Sequence, residues 1–351
     1  MKTKGTFIKL NRLLLYLAWV MLAIGVLVCI YFIISTKIDG FKFWGETKID
    51  FPTTGQFGDF FGGVVGTLFA LSGTILIILT FRIQSKQYER EVFEAKFYEM
   101  LKLHRENVKE LQVSDNHGRK AFEFLIGQLR LYYNDVKEAF DKLKRTEDPR
   151  KIDSDLDNLS KIKEYLNSIE NHEKFLLIHK LSYGYFFYGI DEYHLTKDKT
   201  DIIYEINLAI TIIIKTNLLS LPEDRRYERN GHFNSHLGHY YRHLFHLISL
   251  IANEDILSEK EKYGFSKIIR AQLSDYEQIL LYYNSLSVMG EQWISPLGKH
   301  EVKKMCFIAR FRLIKNAPYY FRYFGINPAS LFKTEIDALD EIGQAFFEIK
   351  L

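Results

Sequence analysis

Two long uncharged runs stand near the front of a chain that otherwise alternates apolar and charged positions at helical spacing. The first covers Leu13–Ile34 and the second Phe60–Phe81. Each can cross a bilayer core of about 30 Å at about 1.5 Å per residue, so both predict transmembrane helices. Lys2, Lys4, Lys9 and Arg12 precede the first run, as they would in a signal peptide. That run exceeds the roughly 7–15 residues of a signal-peptide core, and it ends in ISTKIDG with no small-residue cleavage site.

Thr36–Gly58 then reads as a short external loop in which Phe41, Phe43 and Trp44 suit the interface. Basic residues flank both outer ends of the pair, the second set being Arg82, Lys86 and Arg90. The positive-inside rule places both termini in the cytoplasm. Gly62, Gly66, Ala70 and Thr74 recur every fourth residue of the second run. Small residues on one face predict a packing seam, against the first span or against another subunit. Asp59 is read as a carboxylate in a first helical turn, complementing the dipole.

From Arg82 the pattern turns amphipathic. Ile83, Val92, Phe93, Phe97, Met100, Leu101, His104, Val108 and Leu111 recur at three- and four-residue steps, predicting a stalk helix over 82–112. SDNHG (Ser114–Gly118) breaks it. Further helices are expected over Arg119–Lys144, within the charged stretch Asp141–Lys174, and over Phe175–Ile190, Asp201–Leu219 and Arg229–Asn253. Glu259–Asn284, Val302–Phe324 and Pro328–Phe347 complete the series. Phe175–Ile190 is too short and too interrupted to be a third span. The chain therefore reads as all-α: a membrane region (1–81) with spans at 13–34 and 60–81, the stalk, and a cytoplasmic helical domain over 113–351. No repeat and no βαβ alternation is visible.

Composition changes this picture little. Lys+Arg (47) and Asp+Glu (44) nearly cancel, which removes the basic field expected of a DNA binder. Cys29 and Cys306 are distant in sequence, which fits a reducing compartment for the main domain. Phosphate loops, dinucleotide fingerprints, nucleophile elbows, CxxC pairs and calcium loops are all missing from the sequence, and no cofactor is expected.

Two constellations carry candidate chemistry. RNGHFNSHLGHYYRHLFHLISLI (Arg229–Ile251) holds His232, His236, His239, His243 and His246 at steps of four, three, four and three, which puts them on one helical stripe. Phe233, Leu237, Tyr240, Leu244 and Leu247 form the adjacent core stripe. Three readings stand open. The imidazoles could pack at the edge of a core, or share a metal, although the segment supplies no carboxylate between them and HExxH is absent. The third is catalysis. Arg229-Asn230 followed by His236 loosely resembles the Arg-Asn…His motif of HEPN ribonucleases, with Arg242 and His246 as further participants. His239 and His243 are candidate binding residues beside them.

The second constellation is IIRAQLSDYEQILLYYN (Ile268–Asn284). Arg270, Ser274, Glu277 and Asn284 share one helical stripe beside Ile269, Leu273, Tyr276, Leu280 and Tyr283. Polar groups so close to an apolar face need partners. Arg242 or a histidine of the preceding helix is the expected partner of Glu277. Either these residues form a buried network, or they line a cleft and bind a ligand.

Four stretches together resemble a known family: Gly55–Phe81, FEAKFYEMLKLHRENV (Phe93–Val108), LGHYYRHLFHLI (Leu237–Ile248) and Ile268–Asn284. They are similar to the bacterial putative phage abortive infection proteins, the membrane-anchored group related to the C-type abortive infection factor. The resemblance implies a multi-pass protein of the bacterial inner membrane whose cytoplasmic domain serves as sensor or effector in phage defence. It assigns no catalytic residue. Expected partners are the lipid bilayer, further copies of the chain, and a phage component or RNA. A HEPN-like ribonuclease and a non-enzymatic scaffold are the alternative functions.

Overall fold

A computed structural model describes residues 2–38, 51–145, 159–196, 198, 201–220, 232–295, 305–318, 321–341 and 343–348. It is almost entirely helical. The chain divides into two compact units, Met1–Ala95 and Lys96–Leu351.

The first unit holds α1 (Lys2–Ile38), α2 (Phe51–Phe60), a π-helical turn (Phe61–Val65) and most of α3 (Gly66–Glu110). α2 occupies residues read from the sequence as loop, so Asp59 lies in its last turn. The dipole explanation for Asp59 therefore does not hold. Phe41, Phe43 and Trp44 lie outside the described residues. The wide turn is stitched by the Thr67 hydroxyl, which donates to the Gly63 and Val64 carbonyls at 2.7 and 2.8 Å.

α1 and α3 meet along a seam of heptad spacing. Ala18 and Gly25 of α1 and Val65, Ser72 and Leu79 of the π turn and α3 are buried at seven-residue steps. Ser72 Oγ donates to the Ala18 carbonyl at 2.9 Å. A Cβ on Gly25 would meet the Phe69 ring at 2.6 Å, so glycine permits this approach. The stripe Gly62, Gly66, Ala70 and Thr74 does not form this seam. Gly62, Ala70 and Thr74 are exposed and Gly66 is half-buried. The two stripes share a helix but point in different directions.

In the second unit the end of α3 buries Phe97, Leu101, His104 and Val108. A two-residue hairpin follows, β1 (Gln112–Val113) paired antiparallel with β2 (Asn116–His117). The SDNHG breaker is thus a reversal of the chain. Ser114 (φ 51°) and Gly118 (φ 56°) take left-handed conformations to make it.

Next comes α4 (Arg119–Arg145), the central helix, which touches α5 (Leu159–Ser168), α6 (Asn171–Tyr188) and α7 (Ile202–Leu219). Its buried stripe, Phe122, Leu125, Leu129, Tyr132, Val136, Phe140 and Leu143, keeps the 3.6-residue period. Each such side chain contributes about 1.5–3 kcal/mol on burial. The histidine-rich helix α8 is Asn234–Asn253.

Glu259–Asn284 is not one helix. It breaks into α9 (Glu259–Arg270) and α10 (Asp275–Ser285), because Ser258 and Ser274 each open a capping box with the glutamate three residues on. A 3-10 segment (Val288–Trp293) follows α10, and α11 is only Phe307–Phe311, ended by Arg312 in the left-handed region (φ 49°). α12 (Pro328–Leu331) and α13 (Lys333–Asp340) replace the single helix expected at the C-terminal end.

Three helical stretches are long and apolar enough to cross a membrane by length and composition: Lys9–Ser35, Gly58–Glu110 and Ile202–Leu219. The last is α7, whose Ile206, Ile210, Ile213 and Ile214 are buried inside the second unit.

Candidate functional site: a basic cavity beside a buried polar network

The reversal at Gln112–Gly118 brings the start of α4 back alongside the end of α3. Gly118 donates its N–H to the Leu111 carbonyl at 2.7 Å, and its own carbonyl accepts from Ala121 as α4 begins. Between these segments lies a cavity of about 540 Å³. Its lining includes His104, Arg105 and Lys109 of α3, His117 of β2, Arg119 of α4, and Gln272 from the turn before α10. None of the lining residues is a carboxylate. Arg105, Lys109, His117 and Arg119 are exposed, while His104 is 1% exposed.

His104 is the unusual member. Neither ring nitrogen has a hydrogen-bond partner. The ring lies parallel to His243 at 6.1 Å between centroids and tilts against Tyr240 at 5.2 Å. Burial, and secondarily the nearby His243, lowers its pKa to about 4, so it is neutral at physiological pH. His243 is fixed by a 2.8 Å bond from its Nε2 to the Met100 carbonyl.

Behind this wall sits Glu277, fully buried. Its Oε2 accepts from the backbone N–H and the hydroxyl of Ser274, both at 2.7 Å. Its Oε1 accepts from the Tyr240 hydroxyl at 3.2 Å. Arg119 Nε stands 3.9 Å from Oε2, and Arg119 Nη2 donates to the Gln272 carbonyl at 2.9 Å. Desolvation raises the Glu277 pKa, while these bonds pull it back. Tyr240 is pushed well above its ordinary value, mainly by burial. Glu277 thus pairs with Tyr240 and Arg119; its expected partners, Arg242 or a histidine of the preceding helix, do not hold it.

The structure joins part of each sequence constellation. Ser274 and Glu277 are joined to Tyr240, and His243 is joined to Tyr240 through the His104 ring between them. The other residues go elsewhere. Arg242 is exposed, and its Nε donates to the Gly238 carbonyl of its own helix at 3.0 Å. His236 is half-buried beside the Ser235 hydroxyl (3.1 Å). His239 and His246 are exposed. Ten residues separate His236 from His246, about 15 Å along a helix, so one substrate atom cannot touch both. Arg229 lies outside the described residues. Arg270 donates to the Arg312 carbonyl at 3.3 Å, and both guanidinium groups lie over the Tyr263 ring. Asn284 is buried and donates to the Tyr183 hydroxyl at 2.9 Å. Among the described residues no three His, Cys, Asp or Glu side chains cluster as a metal site.

Sequence reasoning passed over Arg105, Lys109, His117 and Arg119, and read His104 only as one position of an apolar stripe. The signal was present. His104 is the one polar residue in that stripe, with cations at the next position and five residues on, and the breaker that follows carries a histidine and leads to an arginine.

No curated protein and no solved structure matches the chain. Residues 232–321, which contain α8 to α11, Tyr240, His243 and Glu277, match the family model described as putative phage abortive infection protein, so the family likeness read from the sequence is shown over that region.

Proposed function

We propose that this chain is a phage-defence protein of the bacterial inner membrane that acts by abortive infection through a cytoplasmic helical unit. The match over residues 232–321 supports the defence role. The observation that carries the membrane role is the outward face of α1 and α3. Leu13, Trp19, Leu27, Tyr31, Ile77 and Phe81 are all exposed on helices that have no charge in between. Such a surface is stable in hydrocarbon and costly in water. α7 meets the same length and composition criterion, but its Ile206, Ile210, Ile213 and Ile214 are buried against its own unit. Two spans therefore cross, with Arg82 and both termini on the cytoplasmic side by the positive-inside rule. The stripe Gly62, Gly66, Ala70 and Thr74, exposed except for the half-buried Gly66, then packs against further copies of the chain. The helical unit then serves as sensor or effector of the assembly.

The test is topology together with protection. Cysteines placed singly at Lys4, Gly343 and Gly55 are probed with a membrane-impermeant maleimide in cells, with Cys29 and Cys306 replaced by serine. Labelling of the Gly55 position alone supports the reading. Labelling at the termini, or release of the chain by carbonate extraction, would contradict it.

A further inference from the structure

The geometry points to the cavity at the α3–hairpin–α4 junction as a binding site for a nucleoside diphosphate. The lining sets the charge. Arg105, Lys109 and Arg119 converge from two helices, His117 adds an imidazole, and no carboxylate lines the space. Arg105 and Lys109 are exposed cations, and Arg119, which also stands 3.9 Å from the buried Glu277, adds a third guanidinium donor; together they suit a diphosphate carrying two to three negative charges. In a chain whose total charge is only +3, this is a local concentration of charge.

The volume excludes the simplest anion. At about 540 Å³ the cavity lies within the range of small-molecule sites, and a single phosphate ion would leave most of it empty. Buried Val108 gives an apolar wall next to the cationic rim, which suits a ligand with a flat organic part and a charged tail. A single-stranded RNA would need an extended groove with aromatic platforms, and the lining offers only imidazole rings.

His104 supplies the independent observation. It is buried in the cavity wall, and both ring nitrogens lack partners. A buried polar group left unsatisfied costs about 1–3 kcal/mol. A ligand atom that reaches this ring relieves that cost, whereas a purely apolar occupant does not. Tyr240 and His243 of the family-matched region pack against His104 in the cavity wall, and the cations come from residues outside that region. The inference stands whether or not the chain protects against phage.

The experiment is isothermal titration of the purified full chain in detergent, with ADP and GDP as probes and with adenosine and inorganic phosphate as the two halves. Binding of ADP or GDP tighter than about 1 mM is expected, with either half at least tenfold weaker. Arg105→Glu combined with Lys109→Glu, both at exposed positions, should weaken the diphosphate at least tenfold and leave thermal unfolding unchanged. Lys109→Ala alone should weaken it less. His104→Gln should weaken it while keeping the cationic rim. Three results would overturn the assignment: no binding of either diphosphate at about 1 mM, equal affinity in the double charge reversal, or binding of a short RNA without binding of the diphosphates.

Discussion

Acid should destabilise the helical unit through two buried neutral histidines. Burial lowers both His104 and His179 from an ordinary 6.5 to about 4, with His243 a lesser cause at the first and Lys180 at the second. A histidine whose folded pKa lies below its unfolded pKa binds fewer protons when folded. Its stability contribution is complete above 6.5 and is lost as pH falls from 6.5 towards about 4. At pH 5 the loss is about 2 kcal/mol for each residue and about 4 kcal/mol for both, against about 0.1 kcal/mol at pH 7.5. Glu277 acts in the opposite sense. Its pKa is raised by burial, so it favours folding as the pH falls, and the figure for the histidines is an upper limit. At about 2–4 °C per kcal/mol, the unfolding midpoint should fall by up to about 8–16 °C between pH 7.5 and 5. Trp293, buried in the helical unit, is a suitable reporter once Trp19 and Trp44 are replaced by phenylalanine. Thermal scans at fixed ionic strength would read the shift in detergent. His104→Gln with His179→Gln should flatten it to a few degrees. A midpoint independent of pH in the parent chain, or a fall of the same size in the double variant, would refute the reasoning.

Other perturbations test other parts of the account. Glu277→Ala removes the cap acceptor of α10 and strands the buried Tyr240 hydroxyl. It should cost about 2–4 kcal/mol, read as a fall in the same unfolding midpoint, while Glu277→Gln should cost roughly half as much. Ala18→Cys with Ser72→Cys, in a background with Cys29→Ser, should form a disulfide within one chain, since Ser72 already touches the Ala18 carbonyl. Failure to crosslink under oxidising conditions would contradict the α1–α3 seam. Gly66→Leu should reduce crosslinking between copies in membranes and leave that intrachain disulfide intact; unchanged oligomers would remove the role of the small-residue stripe.

The helices that could be read from the sequence are those whose apolar positions repeat without interruption. α4 is expected over Arg119–Lys144 and runs Arg119–Arg145, and α7 agrees as closely. Asp201 caps α7 through the Ile203 N–H, as a short acceptor before an apolar run should. The break between α9 and α10 was also legible, in the Ser-x-x-Glu signature at 274–277. It was missed because Arg270, Ser274 and Glu277 also fit a continuous 3.6-residue stripe. Local capping chemistry outweighs periodicity there. Past Trp293 the apolar residues persist, but among the described residues the helices shorten to between four and eight residues. Arg312 and Gly325 both take positive φ, and such turns leave no period to detect.

The cavity was hidden for a different reason. Its cations are close only because the seven-residue reversal Gln112–Gly118 brings the start of α4 to the end of α3, and spacing along one helix cannot show that. The histidine stripe shows the opposite limit. Five imidazoles fall on one stripe by arithmetic, yet His232 precedes α8, and His243 is the one that bonds the Met100 carbonyl and stacks on His104 at the end of α3.

The most direct test of the central claim is a plaque assay on cells producing either the parent chain or a variant with Leu71→Arg and Ile78→Arg. Both residues lie on the exposed apolar face of α3. An arginine at mid-span costs about 2.5–3.5 kcal/mol of insertion free energy at each position. The account predicts that the parent lowers plaque number while infected cells die without releasing phage, and that the variant is lost from the membrane and gives plaques as on cells lacking the protein. Full protection by a variant found in the soluble fraction would contradict it, as would normal plaque numbers on cells carrying the parent chain in their membranes.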